Sequence, residues 1–253
     1  MNLIIDIGNT RTKYCAFDGE ELVATLAATG CQLDTMDEFV TAVLSQRRQR
    51  FDGAIVSSTA NLPAEALARI EALPYPVITF NWQTPIPIAN HYGTPQTLGT
   101  DRLASAIGAW SLQPGSELLI IDAGSCLTID FVSSEGAYLG GNISPGLRMR
   151  LQAMHEHTAR LPLVDAEGTV PELGYNTETA LRAGAVNGIR SEIEGYIHRF
   201  SAKYPDLLVF LTGGDEISLA ECEETRIFAD PFLVARGLNH VLNYNLQMSK
   251  QPQ

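Results

Sequence analysis

The chain contains one short pattern twice: Leu-Ile-Ile-Asp-x-Gly occupies residues 3–8 and returns at residues 119–124. In each copy a run of apolar residues is typical of a buried strand, an Asp stands at its end, a Gly-containing turn follows, and a second apolar strand returns. The copies start 116 residues apart in a chain of 253, which divides the sequence into halves of similar size. We therefore predict two related domains, residues 1–115 and 116–253.

Both predicted hairpins have residues suited to phosphate groups and a cation. Gly8 and Gly124 allow a backbone turn in which successive N–H groups point at an anion. Asp6 and Asp122 place a carboxylate where a hydrated metal ion would lie between protein and phosphate. Two facing copies would form a nucleotide-binding cleft between the halves.

Composition narrows the class of protein. A net charge of −12 argues against a nucleic-acid-binding protein, which needs a basic face. No apolar run approaches the roughly 18 residues of a membrane span, and Asp6 interrupts the N-terminal strand where a signal peptide would continue. A cytoplasmic protein with neither membrane nor nucleic acid as a partner is the expectation. Scattered thiols without a C-x-x-C pair, expected to be reduced and mostly buried, stand at Cys15, Cys31, Cys126 and Cys222.

Hydrophobic periodicity predicts a similar start for both halves. Each opens with three strands joined by short turns, and helices and strands follow, which is typical of a duplicated α/β layer fold. The Pro-rich residues 74–95 are predicted to form an extended connector. The predicted strands are 3–7, 12–17, 22–28, 54–57, 77–79, 118–121, 126–132, 137–143 and 207–211, and the predicted helices are 36–49, 63–72, 103–110, 177–202 and 231–245.

Four motifs stand in a fixed order along the chain. They are DIGNTRTK at residues 6–13, GTDR at 99–102, DAGSCLT at 122–128 and GGNISPG at 140–146. In order and spacing they resemble the motifs of type III pantothenate kinases. One such motif alone is a weak signal, whereas four in the same order are specific.

The resemblance implies a fold and an activity. The family is part of the actin, sugar kinase and Hsp70 superfamily, so we expect an actin-like ATPase fold: two duplicated ribonuclease-H-like domains with ATP in the cleft between them. The implied reaction is ATP-dependent phosphorylation of pantothenate on its primary hydroxyl group, the first step of coenzyme A biosynthesis. The family also implies Mg²⁺, a monovalent cation (K⁺ or NH₄⁺), and a homodimer.

The first motif is expected to hold the phosphate donor. Gly8, Asn9 and Thr10 would donate hydrogen bonds to the β- and γ-phosphates, and Lys13 would add a positive charge. Asp6 would orient Mg²⁺ through water. The alternative is an ordinary hairpin turn, because Gly-Asn is a turn pair in its own right.

The acceptor is expected to bind at the second motif, through Gly99, Thr100, Asp101 and Arg102. Asp101 would be the general base that accepts the proton of the pantothenate hydroxyl, although an Asp at this position could also cap the following helix. Arg102 would hold the substrate carboxylate, the alternative being a surface ion pair. Tyr92 would contact the pantoyl group, or else pack against a proline of the connector.

The second hairpin departs from the family pattern, which has Thr-Ala where this chain has Ser125-Cys126. Ser125 keeps a hydroxyl for the nucleotide phosphates, and Cys126 is expected to be buried and inert. By resemblance, Asp122 is a ligand of the monovalent cation, and Thr177 binds pantothenate from the partner subunit. Asn176, the residue before Thr177, could cap the long helix that starts there.

Two other activities are compatible with these residues. One is a small-molecule kinase with a different acceptor, in which Asp101 keeps its role while Tyr92 and Arg102 contact another substrate. The other is a non-enzymatic nucleotide-binding regulator on the same fold. Asp101 separates these classes, because a regulator needs no base beside an acceptor pocket.

Overall fold

In a computed structural model, residues 1–8, 10–30, 33–60, 64–215 and 225–249 are described, and they form two compact units. The first unit comprises residues 1–114, 136–138 and the C-terminal segment from residue 232. The second comprises residues 115–135 and 139–231. The structure thus assigns the C-terminal segment to the first unit, where the predicted division had placed it with the second half.

The strands of the first unit are β1 Asn2–Ile7, β2 Arg11–Asp18, β3 Glu21–Thr29, β4 Gly53–Ser58, β5 Val77–Thr79 and the short β6 Ala89–Asn90, and its helices are α1 Leu33–Arg47, α2 Ala64–Glu71, α3 Thr100–Leu112 and α6 Leu233–Met248. Its first five strands form a mixed sheet in the order β3-β2-β1-β4-β5. The central strand β1 pairs antiparallel with β2 and parallel with β4.

Both faces of this sheet are covered at its central strands, which explains why β1 and β4 are largely apolar. Leu3 and Ile5 of β1 point to the face that packs with Met36 and Phe39 of α1. The opposite face packs against α3 and α6. There the buried Asn2 donates hydrogen bonds to Asn239 and Asn243 of α6, at 2.7 Å each, which ties the C-terminal helix to the first strand.

The second unit repeats the arrangement around its own copy of the pattern. Its strands are β7 Leu118–Ala123, β8 Cys126–Val132, β9 Ala137–Pro145, β10 Leu208–Gly213 and β11 Arg226–Ala229, and its helices are α4 Leu147–Glu156 and α5 Thr177–Lys203. The central strand β7 pairs antiparallel with β8 and parallel with β10, as β1 pairs with β2 and β4. The sheet order is β11-β10-β7-β8-β9, and the first two residues of β9, which belong to the first unit, pair with β6 of that unit.

The long helix α5 supplies the core of the second unit. Ile189, Ile193 and Ile197 recur every four residues, so they form one stripe that packs on Leu119 and Ile121 of β7. The rest of the surface of α5 is more polar. None of the helices in the described part of the chain is long and apolar enough to cross a membrane.

Several elements differ from the sequence predictions. The strands β6 and β11 were not predicted, because two and four residues are too few to show periodicity. The Pro-rich connector contains β6 besides the predicted strand β5, and its last residue begins a 3₁₀ helix at Pro95–Thr97. The helix α3 begins at Thr100, earlier than the predicted residue 103, so the second motif lies in its first turn.

The close packing of α3 against α6 generates a stability prediction. A Cβ atom at Gly237 would overlap the carbonyl oxygen of Ala104, and backbone atoms cannot move away as a side chain can. We expect Gly237→Ala to lower the free energy of unfolding by about 1–3 kcal/mol in urea titrations. Gly195→Ala on α5 is the matched control, because no described atom lies within 4 Å of its Cβ. This control should gain up to about 1 kcal/mol from helix propensity, and equal effects of the two changes would contradict the prediction.

Candidate active site

A polar cluster lies at the end of the central strand of the first unit. Asp6 is paired with Lys13 of β2 on one side and with Ser57 of β4 on the other. Directly paired residues of neighbouring strands point to the same face of a sheet. The three side chains therefore face α3, where the apolar side chains of the strands give way to polar ones.

The charge of Asp6 is unfavourable in this position. The pKa of Asp6 is raised to about 6: burial raises it most, the nearby Lys13 acts to lower it, and the carboxylate of Asp101 acts to raise it. Asp6 and Asp101 are therefore within electrostatic reach of each other. Among the described residues no three His, Cys, Asp or Glu side chains group around a metal position. The Asp6 carboxylate fits Mg²⁺ all the same, since this ion is commonly held by one or two carboxylates together with water and substrate phosphates.

The first motif forms the turn between β1 and β2. The N–H of Gly8 donates to the carbonyl of Arg11 at 2.9 Å, and Thr10 is exposed beside it. Asn9 lies outside the described residues. The hairpin turn of the alternative interpretation is therefore present, and a turn of this kind is compatible with phosphate binding.

Asp101 is the second residue of α3. The cap position belongs to Gly99, and no side chain caps the helix, so the interpretation of Asp101 as the N-cap was wrong. Its Oδ1 instead accepts a hydrogen bond from the N–H of Arg102 at 2.8 Å. A Cβ atom at residue 99 would lie 2.5 Å from this oxygen. Glycine at this position therefore leaves room for the carboxylate of Asp101 to fold back over the start of the helix.

Arg102 and Tyr92 lie together. Arg102 is only 5% exposed, which rules out the alternative of a surface ion pair, and its guanidinium carbon is 5.7 Å from the centre of the Tyr92 ring. The Tyr92 ring is also 6.1 Å from the ring of the buried Tyr138. Asn90 fixes this loop, because its Oδ1 accepts a hydrogen bond from the Tyr92 N–H at 3.0 Å. A planar cation beside an aromatic ring is suited to a carboxylate ligand that also has an apolar part.

The second hairpin, between β7 and β8, has the same form as the hairpin between β1 and β2. Asp122 is paired with Thr128 of β8 and with Thr212 of β10. The N–H of Gly124 donates to the carbonyl of Cys126 at 3.0 Å, closing the turn. Ser125 is exposed at its tip.

The described residues include two of the four cysteines, Cys15 in β2 and Cys126 in β8. Cys15 is buried, as predicted. Cys126 is only half-buried, because it starts β8 at the turn rather than within the core. Cys31 and Cys222 lie outside the described residues.

Two glycines allow backbone segments to approach the second hairpin. A Cβ atom at Gly146 would overlap the carbonyl oxygen of Gly124, and one at Gly213 would overlap that of Ala123. The N–H groups of Gly214 and Asp215 both donate to the Ala123 carbonyl at 2.9 Å. Backbone thus surrounds the turn closely.

Thr177 is the exposed first residue of α5. Asn176 is the N-cap, accepting a hydrogen bond from the N–H of Thr179 at 2.8 Å, while the Thr179 hydroxyl bonds back to the start of the helix. The capping box therefore uses Asn176 and Thr179, and the hydroxyl of Thr177 has no part in it.

The predicted site residues thus fall into two groups. The first unit brings together Asp6, Lys13, Thr100 and Asp101, with Tyr92 and Arg102 on the same helix start and its neighbouring loop. The second unit carries Asp122, Ser125 and Thr177. Ser57 was not predicted, although it is buried and its hydroxyl donates to Thr100 Oγ1 at 2.9 Å. Its position at the polar end of a buried strand was the available signal.

Solved structures share the fold of this chain. A candidate Baf family transcriptional activator from Campylobacter jejuni matches with a TM-score of 0.60 and 22% identity, over 97% of this chain and 99% of that one. The activator of 2-hydroxyisocaproyl-CoA dehydratase from Clostridium difficile, with bound ADPNP, matches with a TM-score of 0.55 and 13% identity, over 100% and 98%. The predicted fold class is confirmed: two mixed α/β sheets of the actin-like ATPase fold.

Sequence comparison defines the family. The family model "Type III pantothenate kinase" matches residues 2–199. A type III pantothenate kinase from Bacteroides fragilis is 50% identical over 245 residues, which cover 97% of this chain and 98% of that protein. The chain belongs to the type III pantothenate kinase family, as the motifs indicated.

The raised pKa of Asp6 generates a prediction about stability and pH. The native state holds the Asp6 proton up to about pH 6, whereas an unfolded Asp releases it near 3.8, so the charged carboxylate destabilises the fold as pH rises through this interval. A difference of this size corresponds to about 3 kcal/mol at pH 7. We expect Asp6→Asn, without Mg²⁺ or nucleotide, to raise the melting temperature at pH 7.5 and to change it much less at pH 4.

The control is Asp18→Asn, which removes an exposed carboxylate at the end of β2. It reports the effect of losing one negative charge from an acidic protein. A stabilisation by Asp6→Asn that is the same at both pH values, or that Asp18→Asn reproduces, would show that burial of Asp6 is not its cause.

Proposed function

We propose that this protein transfers the γ-phosphoryl group of ATP to the primary hydroxyl of pantothenate, with Asp101 as the general base. Family membership supports the overall reaction and its place in coenzyme A biosynthesis. The observation that carries the finer assignment is the position of Asp101: it starts a helix beside Asp6, at the polar end of the first sheet.

The first hairpin is proposed to hold the donor. Phosphoryl transfer needs alignment and neutralisation of charge rather than covalent chemistry. The backbone around Gly8, Asn9 and Thr10 would donate hydrogen bonds to the phosphates, and Lys13 would supply a fixed positive charge. Mg²⁺, when bound near Asp6, would neutralise charge on the transferring group.

Asp101 would act on the acceptor. Its carboxylate would take the proton of the attacking hydroxyl, a role that depends first on distance and only then on pKa. Gly99 and Thr100 would line the same helix start, where N–H groups favour negative charge. Arg102 would bind the pantothenate carboxylate and Tyr92 would pack against its pantoyl group.

The second hairpin is proposed to bind the same kinds of group, with Ser125 donating to phosphate and Asp122 binding K⁺ or NH₄⁺. This assignment rests on the family to which the chain belongs. The two hairpins differ beside the carboxylate, because Lys13 stands opposite Asp6 whereas Thr128 stands opposite Asp122.

A homodimer is proposed for the complete protein, with Thr177 contacting pantothenate in the partner subunit. The second unit supports it with an open cavity of about 950 Å³ along α4 and α5, lined in part by Met149, Met154 and Ala185. Large apolar side chains are exposed in the same unit, at Leu139, Ile143, Met149, Leu163, Leu173 and Tyr175. A monomer mass in sedimentation velocity at assay concentrations would contradict this proposal.

The substrate assay separates the proposal from its two alternatives. With Mg²⁺, K⁺ and ATP, we expect ADP release that depends on pantothenate and yields 4′-phosphopantothenate by mass spectrometry. Turnover only with a sugar or another alcohol would favour a kinase with a different acceptor. Nucleotide binding without turnover on any acceptor would favour the regulator.

The same assay tests the monovalent cation. Replacing K⁺ by Na⁺ should lower activity sharply, and unchanged activity after that exchange would contradict the assignment of a cation site to Asp122.

Asp101→Asn tests the base. Asparagine keeps the oxygen that accepts from the Arg102 N–H, so we expect the fold and ATP binding to be retained. Turnover should fall by about 10²–10⁴-fold, the range that general base catalysis contributes. Asp18→Asn is the control and should keep wild-type kcat. A near-normal kcat for Asp101→Asn would exclude Asp101 as the base.

A further inference from the structure

Ser57 joins the first sheet to the helix that carries the acceptor residues. It is fully buried near the end of β4, in register with Asp6 of β1. Its hydroxyl donates to Thr100 Oγ1 at 2.9 Å, and Thr100 is the first residue of α3. One hydrogen bond therefore links the strand beside Asp6 to the residue that precedes Asp101.

This hydrogen bond is placed where the helix needs it. The N-cap of α3 is Gly99, which has no side chain to fix the start of the helix, so the bond from Ser57 gives the first turn a direct link to β4. The preceding strand residues, Ala54, Ile55 and Val56, are apolar and buried, so Ser57 is the polar exception. The second unit has a hydroxyl at the same position of its repeat, because Thr212 of β10 is in register with Asp122.

The direction of the bond has a chemical consequence. Because the Thr100 oxygen accepts the proton of Ser57, the hydroxyl proton of Thr100 must point away from Ser57. Thr100 is thereby set as a hydrogen-bond donor at the start of α3, one residue from Asp101. A donor there complements an oxygen of the acceptor substrate, while Asp101 accepts that substrate's proton.

We propose that Ser57 is a positioning residue for phosphoryl transfer: it orients the Thr100 hydroxyl and fixes the first turn of α3, which carries Asp101 and Arg102, relative to Asp6. The proposal rests on the assignment of residues 99–102 to the acceptor site. It differs from the simple structural role of a buried, hydrogen-bonded serine in predicting an effect on kcat that depends on Thr100.

The test is a double-mutant cycle with Ser57→Ala and Thr100→Val. Each single variant should lower kcat about tenfold, as small displacements of a catalytic group do, with the KM for ATP within about twofold of wild type. The double variant should be no slower than the slower single variant, because the two hydroxyls act as one unit. Thr100→Ser keeps the hydroxyl and should retain kcat within about threefold.

Ser58→Ala is the matched control. Ser58 is the next residue of the same strand, and its hydroxyl bonds to the backbone of Ala60 rather than to α3. It should leave kcat near the wild-type value and combine additively with Thr100→Val. The melting temperatures of all variants are measured as well, and they show whether a variant has lost activity because it is unfolded.

Two outcomes would overturn the proposal. A kcat for Ser57→Ala within twofold of wild type would show that the hydroxyl is not needed for positioning. Additive losses in the Ser57 and Thr100 cycle would show a general structural role. The Asp101→Asn variant tests the general base separately from this proposal. If Asp101→Asn keeps turnover while the Ser57 and Thr100 double-mutant cycle is non-additive, Ser57 still orients Thr100 and another group is the base.

Discussion

A partly buried carboxylate at the end of a central strand sets the electrostatics of the polar cluster in the first unit. Asp6 lies between a cationic side chain on β2 and a hydroxyl on β4, and it is within reach of a second carboxylate on α3. Such a group destabilises the fold when charged, and the lysine offsets only part of that cost. Retaining it is physically reasonable if a cation and phosphate groups bind there, since their binding recovers the free energy that folding lost.

A second constraint on the structure is the close approach of neighbouring segments at glycine residues. At Gly237 the helices α3 and α6 meet at a distance that admits no Cβ, so α6 packs closely on the helix that carries residues 100–102. At Gly99 the same absence of a side chain leaves space for the Asp101 carboxylate. Packing and site geometry are thus linked through α3: its core face packs against α6 and β4, and its first turn carries the residues proposed to bind the acceptor.

The sequence predicted the strands around the repeat to within a residue or two, because their apolar runs end abruptly at Asp and Gly. It identified the family for the same reason, since the motifs lie at those strand ends. Contacts between residues far apart in the sequence were harder to predict. Nothing local at residue 237 indicates that α6 packs on α3, and nothing local at Ser57 indicates a partner 43 residues later. The start of α3 was missed because Gly99-Thr100-Asp101 has no apolar periodicity, which also led to the alternative of Asp101 as a cap.

Duplication explains the likeness of the two hairpins, and their differences indicate how the copies divided the work. Each keeps the carboxylate and a hydroxyl on the parallel neighbour, Ser57 in one and Thr212 in the other. The position across the antiparallel pair diverges, with Lys13 in the first copy and Thr128 in the second. The lysine gives the first copy a cationic side chain on the neighbouring strand, in keeping with the phosphate donor site proposed there. The threonine gives the second copy a neutral hydroxyl at the equivalent position.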